Sequence, residues 1–439
     1  MLSETFARLA GCPPQLSPAR FGHVQGCDGT LLEVSGLPVP VGSLCTIGED
    51  ARSAHRAEVI GFRDGRTVLS LLGEAVSLMP GARVRAADQP GMLPVGEAFL
   101  GRAVDGLAQP IDGGSPLRIA VRWPAQGARS GALDRGSVTT PLATGIRAID
   151  GLLTTGVGQR MGIVAGSGVG KSVLIDMIVG GAEADVVVAG LIGERAREVS
   201  DFVRRHMHGE VAARTAIVAV PADDAPNLRL RGALQATALA EYFRARGKRV
   251  LLILDSLTRV AHAAREVAML LGESGAARGY PPSALGTITR LCERAGNSAA
   301  SGGAITAFYT VLADGDDAND PVVDTARAIL DGHIVLSRRR AQRGCYPAID
   351  VPASISRTMF DIAPPEQVAA ARELRALIAT YEDNRDLIAM GAYRPGTDPA
   401  LDRAIERQAA IEAYLSQDRG ERAAPCDTMA GLRTALADG

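Results

Sequence analysis

One short segment constrains this chain more than any other. Ala165-Gly166-Ser167-Gly168-Val169-Gly170-Lys171-Ser172 lies between an apolar run at residues 161–164 and a helix-periodic run at residues 171–179. Its alternating glycines let the backbone curl until successive N–H groups point inward, and the following helix adds the positive end of its dipole. Such a loop cradles phosphate oxygens, with Lys171 placed to neutralise the β- and γ-phosphates and the Ser172 hydroxyl to ligate Mg2+. Lysine usage points the same way. Of 47 basic residues only Lys171 and Lys248 are lysine, so a strong bias toward arginine has left a compact ammonium where a planar guanidinium does not substitute.

The surrounding pattern supplies the sheet that such a loop needs. Residues 185–192, 215–220, 249–254, 304–311 and 333–336 read as strands, with helices following residue 192, at 228–246 and at 256–271. These strands are continuous apolar runs, as expected of a parallel sheet covered by helices on both faces. Asp255 ends the 249–254 run at the edge where ligands bind, and so becomes the second metal-site residue. By itself it reads as a helix N-cap; the phosphate loop decides the matter. Glu194, after the neighbouring strand, is placed to orient and deprotonate an attacking water, and Arg195 to reach the γ-phosphate. Arg197 and Glu198 read equally well as surface charges on the first turn of a helix.

Short Val/Leu/Ile runs with Asp-Gly and Pro-Gly turns across residues 21–90 predict a small β-barrel. Ahead of it, Leu2, Phe6 and Leu9 recur at helical spacing, giving either a docking helix or a frayed terminus. Residues 91–136, rich in Gly and Pro, read as linker and loops. Beyond residue 364 the strand signal ends, and residues 366–381 and 401–415 are helix-periodic. Balanced charge (47 Lys+Arg against 49 Asp+Glu, net −2) excludes a polybasic nucleic-acid arm. No run approaches the ~18–20 apolar residues of a membrane span, and no signal peptide is legible, so a cytoplasmic protein is expected. Six cysteines without a C-x-x-C pair indicate neither a disulfide framework nor a zinc site. His206-x-His208 reads as solvated surface rather than a metal pair. The Arg338-Arg339-Arg340 run with Arg343 reads as a solvated face, with contact to anionic lipid or acidic partners as the alternative.

Several ordered motifs together resemble the type III export ATPases of bacterial flagella and virulence secretion systems, relatives of the rotary ATP synthase catalytic subunit. They are Gly145-Ile146-Arg147-Ala148-Ile149-Asp150, the phosphate loop, Gly190-Leu191-Ile192-Gly193-Glu194-Arg195 and Leu254-Asp255-Ser256-Leu257-Thr258-Arg259. Gly279-Tyr280-Pro281-Pro282, Thr306-Ala307-Phe308-Tyr309-Thr310, residues 328–338, Tyr346-Pro347-Ala348-Ile349-Asp350, Ser354-Ile355-Ser356-Arg357 and Gly391-Ala392-Tyr393 continue the likeness. The loop and residues 305–338 look more like the flagellar branch. The resemblance implies an α/β fold: a RecA-like P-loop NTPase core with a parallel sheet at 91–355, after a leader (1–20) and a β-barrel (21–90), and before a helical domain (356–439).

The resemblance also implies that Lys171, Ser172 and Asp255 hold Mg-ATP, that Glu194 is the catalytic carboxylate, and that adenine stacks on Tyr346. Arg357 is implied to be an arginine finger delivered into a neighbour's site, worth about 10³–10⁵ in turnover. A homohexameric ring is implied, at the membrane face of the export apparatus. Its partners would be a stator-like negative regulator, a central stalk protein, chaperone–substrate complexes and the membrane export gate. Ala264, Ser274-Gly275, Cys345 and Pro352 depart from the family pattern, and Pro352 is placed to re-aim the finger. One rival is a rotary synthase subunit, which normally needs a non-catalytic partner chain. A hexameric RNA translocase is another, disfavoured because residues 1–90 offer only Phe6, Phe21 and Phe62 as stacking platforms and no lysine. An inert nucleotide-binding subunit is disfavoured by the carboxylate of Glu194.

Overall fold

In the first strands apolar and polar residues alternate, which dictates a sheet with one face turned inward. The computed structural model describes residues 21–48, 54–73, 77–86, 90–128, 131–276, 278–313 and 320–437; the stretch marked by Leu2, Phe6 and Leu9 lies outside them. The chain forms two compact units, one ending at Gly91 and the other starting at Met92. In the first, β1 (Phe21–Asp28), β2 (Leu31–Ser35), β3 (Leu44–Ile47), β4 (His55–Arg63), β5 (Arg66–Leu71) and β6 (Arg83–Ala86) close into a barrel. The order is β1-β2-β5-β4-β3-β6. Its interior is aliphatic, with Leu32, Val34, Ile47, Val59, Leu69 and Val84 fully buried, and closure leaves no unpaired edge.

The second unit begins with β7 (Met92–Val95), β8 (Arg102–Val104), β9 (Val121–Pro124) and β10 (Arg135–Gly136). It continues through β11 (Arg160–Ala165), β12 (Val186–Ile192), β13 (Thr215–Val220), β14 (Arg249–Asp255), β15 (Gly296–Ser298), β16 (Ala304–Leu312), β17 (Gly332–Leu336) and β18 (Ile349–Ser356). The main sheet runs β18-β17-β11-β16-β14-β12-β13-β8, parallel from β17 to β8, with β18 antiparallel at one end. Every residue of β12 and β13 is buried, and each Val, Leu or Ile among them contributes about 1.5–3 kcal/mol of burial. The continuous apolar runs therefore mean what they were read to mean. The loop strand β11 lies between β16 and β17, so the phosphate loop emerges mid-sheet.

Helices cover both faces: α1 (Arg147–Leu152), α2 (Lys171–Gly181), α3 (Ala196–His206), α4 (Gly209–Ala213), α5 (Pro226–Ala245), α6 (Leu257–Leu270), α7 (Pro282–Cys292), α8 (Pro321–Ile329) and α9 (Arg338–Gln342). The chain ends in α10 (Met359–Ile362), α11 (Pro365–Asp383), α12 (Arg385–Ala389), α13 (Pro399–Leu415) and α14 (Pro425–Leu436). Leu374, Ile378, Ile411 and Leu432 of these last helices share one core with Ile149, Leu152 and Ile163. That continuity brings the loop between α13 and α14 close to the phosphate loop.

Three readings are corrected. Residues 91–136 are not simply linker: β8 extends the main sheet beside β13, and β7 pairs with β9. These strands are three or four residues long, too short to rise above the surrounding Gly and Pro. Trp123 on β9 donates to Glu241 on α5 at 2.9 Å, and Arg294 clamps the same carboxylate at 2.9 and 2.7 Å. His206 is buried rather than solvated, its Nε2 2.7 Å from Asp176 of α2; His208 is exposed. The arginine run is likewise not a uniform solvated face. Arg340 is buried and reaches Glu412 of α13 through two N–H donors at 3.2 and 2.9 Å, while Arg339 pairs with Glu382 of α11. The partners stand 72 and 43 residues away, so no local pattern announces them.

Candidate active site

The loop between β11 and α2 is shaped by backbone conformation before any side chain matters. Gly170, the N-cap of α2, holds φ at +93°, and a β-carbon there would stand 3.0 Å from Cε1 of Tyr346. Glycine is therefore required twice at this position, for its dihedral and for the tyrosine ring lying over it. Ala165 and Val169 are buried beneath the loop, while Ser167 and Gly168 are exposed on it. The loop lines a cavity of about 1130 Å³ together with Lys171, Ser172, Glu194, Arg195, Arg259 and Tyr346.

Lys171 is the hub of the charge arrangement. Its Nζ donates to Glu194 Oε1 at 2.9 Å and to Asp255 Oδ1 at 2.5 Å, with all three side chains about nine-tenths buried. Thr310 of β16 donates to the same Asp255 oxygen at 2.5 Å. The loop, the turn after β12 and the end of β14 thus converge because β14 lies between β12 and β16 in the sheet. Burial works against the ammonium of Lys171, but Asp255 and Glu194 outweigh it and hold its pKa above the ordinary lysine value. Burial pushes the Asp255 carboxyl upward, helped by repulsion from Glu194 and opposed by Lys171. Asp255 faces a smaller cavity of about 190 Å³ that also touches Ser172, Glu194 and Glu198. Ser172 and Asp255 are hard oxygen donors, the chemistry Mg2+ requires.

The model of the ATP synthase alpha/beta family, nucleotide-binding domain, matches residues 145–356, and that of the T3SS EscN ATPase C-terminal domain matches residues 363–434. The flagellum-specific ATP synthase of Pseudomonas aeruginosa is 45% identical over 440 residues, covering 99% of this chain and 97% of the relative. The chain belongs to the flagellar and type III secretion ATPase family. Another member, the type 3 secretion system ATPase of Xanthomonas euvesicatoria, is 43% identical over 95% of this chain and 94% of its own. Among solved structures, the assembled ATPase EscN of enteropathogenic E. coli superimposes with a TM-score of 0.88 at 37% identity, covering 95% of this chain and all of that one. The same ATPase in complex with its central stalk EscO gives 0.86 at 36% identity, with the same coverage.

In this family member, Lys171, Ser172, Glu194, Arg195 and Tyr346 meet at one cavity, and Asp255 joins them through Lys171. Arg195 is strongly exposed, its guanidinium 4.0 Å from Glu198. Arg197 is still more exposed and does not line the cavity, which suits the surface reading. Arg357 is not brought to this cavity. It follows β18, exposed, and donates to the carbonyl of Arg327 at 3.1 Å. Pro352 falls where the β17–β18 register shifts: Val335 faces Asp350 and His333 faces Ile355, leaving four residues of β18 opposite Ile334. A proline inside a bulge removes no ladder hydrogen bond, and pairing resumes just before Arg357.

Other residues at the cavity carried no separate role in the sequence reading. Arg259 stands one helical turn beyond Asp255, and a β-carbon on Gly193 would lie 2.6 Å from its Cβ. Its i, i+4 spacing from a strand-ending acid was an available signal. Thr310 lay in a quoted motif, but its hydroxyl acquires meaning only once β16 is placed beside β14. Ser416, Gln417, Asp418, Arg419 and Glu421, between α13 and α14, also line the cavity. They lie more than 200 residues from the phosphate loop, and nothing local marks them.

Proposed function

We propose that the chain hydrolyses ATP to drive type III protein export, and does so as a homohexameric ring with its sites between subunits. The convergence of Lys171, Glu194 and Asp255 under a phosphate loop carries this reading. Lys171 binds the β- and γ-phosphates, and Ser172 and Asp255 hold Mg2+, which supplies charge neutralisation at those phosphates. With Oε1 of Glu194 taken by Lys171, Oε2 is left as the acceptor that orients the attacking water and takes its proton. Tyr346 carries the base on a ring that is 38% exposed. Arg357, exposed and away from its own chain's cavity, is the finger for a neighbour's site. That the relative EscN is described both as assembled and with a central stalk supports a ring and a stalk partner for this chain.

Membership of the family supports the remaining partners of this reading: a stator-like regulator, chaperone–substrate complexes and a peripheral contact with the membrane export gate. Among the described residues no helix is long and apolar enough to cross a membrane. A nucleic-acid role gains no support from the barrel, where the ring of Phe21 is covered by the Arg83 guanidinium at 3.5 Å. The test is ATP hydrolysis per chain against protein concentration, with and without RNA. Specific activity rises with concentration in step with ring assembly and ignores RNA. Activity that is constant with dilution, or that requires RNA, overturns the reading.

A further inference from the structure

Residues 351–354 of β18 stand opposite Ile334 of β17, where the ladder between the two strands is broken. Side chains hold this bulge instead. Ser354 Oγ accepts the Val335 N–H at 2.9 Å, and Asp350 Oδ1 accepts the Ala353 N–H at 3.0 Å. Two carbonyls of the bulge are taken by a more distant group: Arg375 of α11 donates to Ser354 O at 2.7 Å and reaches Pro352 O at 3.4 Å. Arg375 is half-buried, and burial lowers its pKa from the ordinary arginine value. Among the described residues its bonds run to carbonyls rather than to a carboxylate. Burying a guanidinium is unfavourable unless its N–H donors are used, so these carbonyls are what keeps the side chain in place.

α11 meets the same segment again beyond Arg357. The Arg372 guanidinium, one turn before Arg375, lies 5.2 Å from the centroid of the Phe360 ring, which is 55% exposed. The helix therefore holds residues 352 and 354 on one side of Arg357 and residue 360 on the other. Between these holds the chain is pinned: Ser356 Oγ donates to Thr154 O at 2.8 Å and the Arg357 N–H to Asp331 O at 3.0 Å. α11 is itself fixed. Gln367 Nε2 donates to Asp150 O and to Thr154 Oγ1, both at 2.8 Å, and Leu374 and Ile378 lie in the shared core. A strand rises about 3.3 Å per residue, so a bulge that relaxes by a fraction of a residue displaces Arg357 by about 1 Å.

We propose that Arg375 is a positioning residue for Arg357: by gripping the β18 bulge it sets where that guanidinium stands in the neighbouring copy's site, and Arg372 on Phe360 completes the bracket. The inference rests on the reading of Arg357 as the finger. A misplacement of about 1 Å costs about 10²-fold in rate. Arg375→Met, which keeps the stem and removes the donors, lowers kcat on that scale and leaves KM for MgATP unchanged, because the nucleotide is held by the chain's own loop. Arg375→Lys, which keeps the charge and a donor, recovers part of the loss. Phe360→Ala, at an exposed position that spares the fold, lowers kcat in the same way by a smaller factor. The deciding readout is in trans. When Arg375→Met chains assemble with an equal amount of Lys171→Ala chains, about half of their sites receive an intact finger, and their turnover rises to about half of wild type. A fault confined to the chain's own site or fold gains nothing from such a neighbour. Arg357→Ala chains mixed in the same way are the control. Recovery of Arg357→Ala with none for Arg375→Met and Phe360→Ala, or a raised KM at unchanged kcat, overturns the role of Arg375. No recovery of Arg357→Ala in rings shown to contain both chains means that the finger reading has failed, and the proposal falls with it.

Discussion

Replacing Lys171 with Met keeps the aliphatic stem and removes the charge that Glu194 and Asp255 share. At an effective dielectric of about 20 and a charge separation of about 4 Å, each attraction is worth about 4 kcal/mol. Desolvation of three buried ions offsets much of that sum, but deleting one partner strands two buried carboxylates, which costs about 3–5 kcal/mol. The deficit depends on pH, with a definite sign. Burial and Glu194 already raise the Asp255 carboxyl, and without Lys171 nothing opposes them. A group whose folded pKa lies above its unfolded value contributes stability at low pH that is lost as pH rises through the folded value. Lys171→Met therefore loses about 3–5 kcal/mol at the higher of two pH values, where both carboxylates are charged, and less at the lower, and adding Asp255→Asn flattens the difference. Urea unfolding followed through Trp123, the single tryptophan, reports on the second unit directly. An equal deficit at both pH values refutes the reasoning.

Other predictions use separate parts of the site. Glu194→Gln lowers kcat by about 10²–10⁴ while MgATP still binds by calorimetry; a variant retaining most of its turnover denies Glu194 the role of base. Gly170→Ala drives a β-carbon toward the Tyr346 ring and strains a φ of +93°, so loss of ATP affinity is expected; an unchanged KM contradicts the contact. Asp150 caps the turn at Thr144 and Gly145, and burial pushes its carboxyl up to about 6 despite those hydrogen bonds. Because the shift is upward, stability falls between pH 4 and 6, by about 3 kcal/mol in total. Asp150→Asn removes that slope in urea titrations, and a slope that persists assigns it elsewhere.

The phosphate loop, Glu194 and Asp255 were legible because each is defined by what precedes it, an apolar strand ending at a sheet edge. Sheet strands were legible for the same reason, since burial on both faces leaves unbroken apolar runs. β18 went unread because Pro352 interrupts it at the bulge. α14 went unread because Gly431 and flanking alanines blunt its periodicity, and Leu432 finds its partners only in the tertiary core. His206 and Arg340 were misread because a charged or polar residue looks solvated until its partner is placed, and their partners are 30 and 72 residues away. Arg357 carried no local signal at all; the motif resemblance alone singled it out.

The central claim is that each site is completed by a second copy. Chains carrying Lys171→Ala and chains carrying Arg357→Ala, each inactive alone, are mixed in equal amounts and allowed to assemble. Random mixing leaves about one interface in four with both an intact loop and an intact finger, so ATP hydrolysis returns to a comparable fraction of wild type. Rings shown to contain both chains yet hydrolysing no ATP contradict the account.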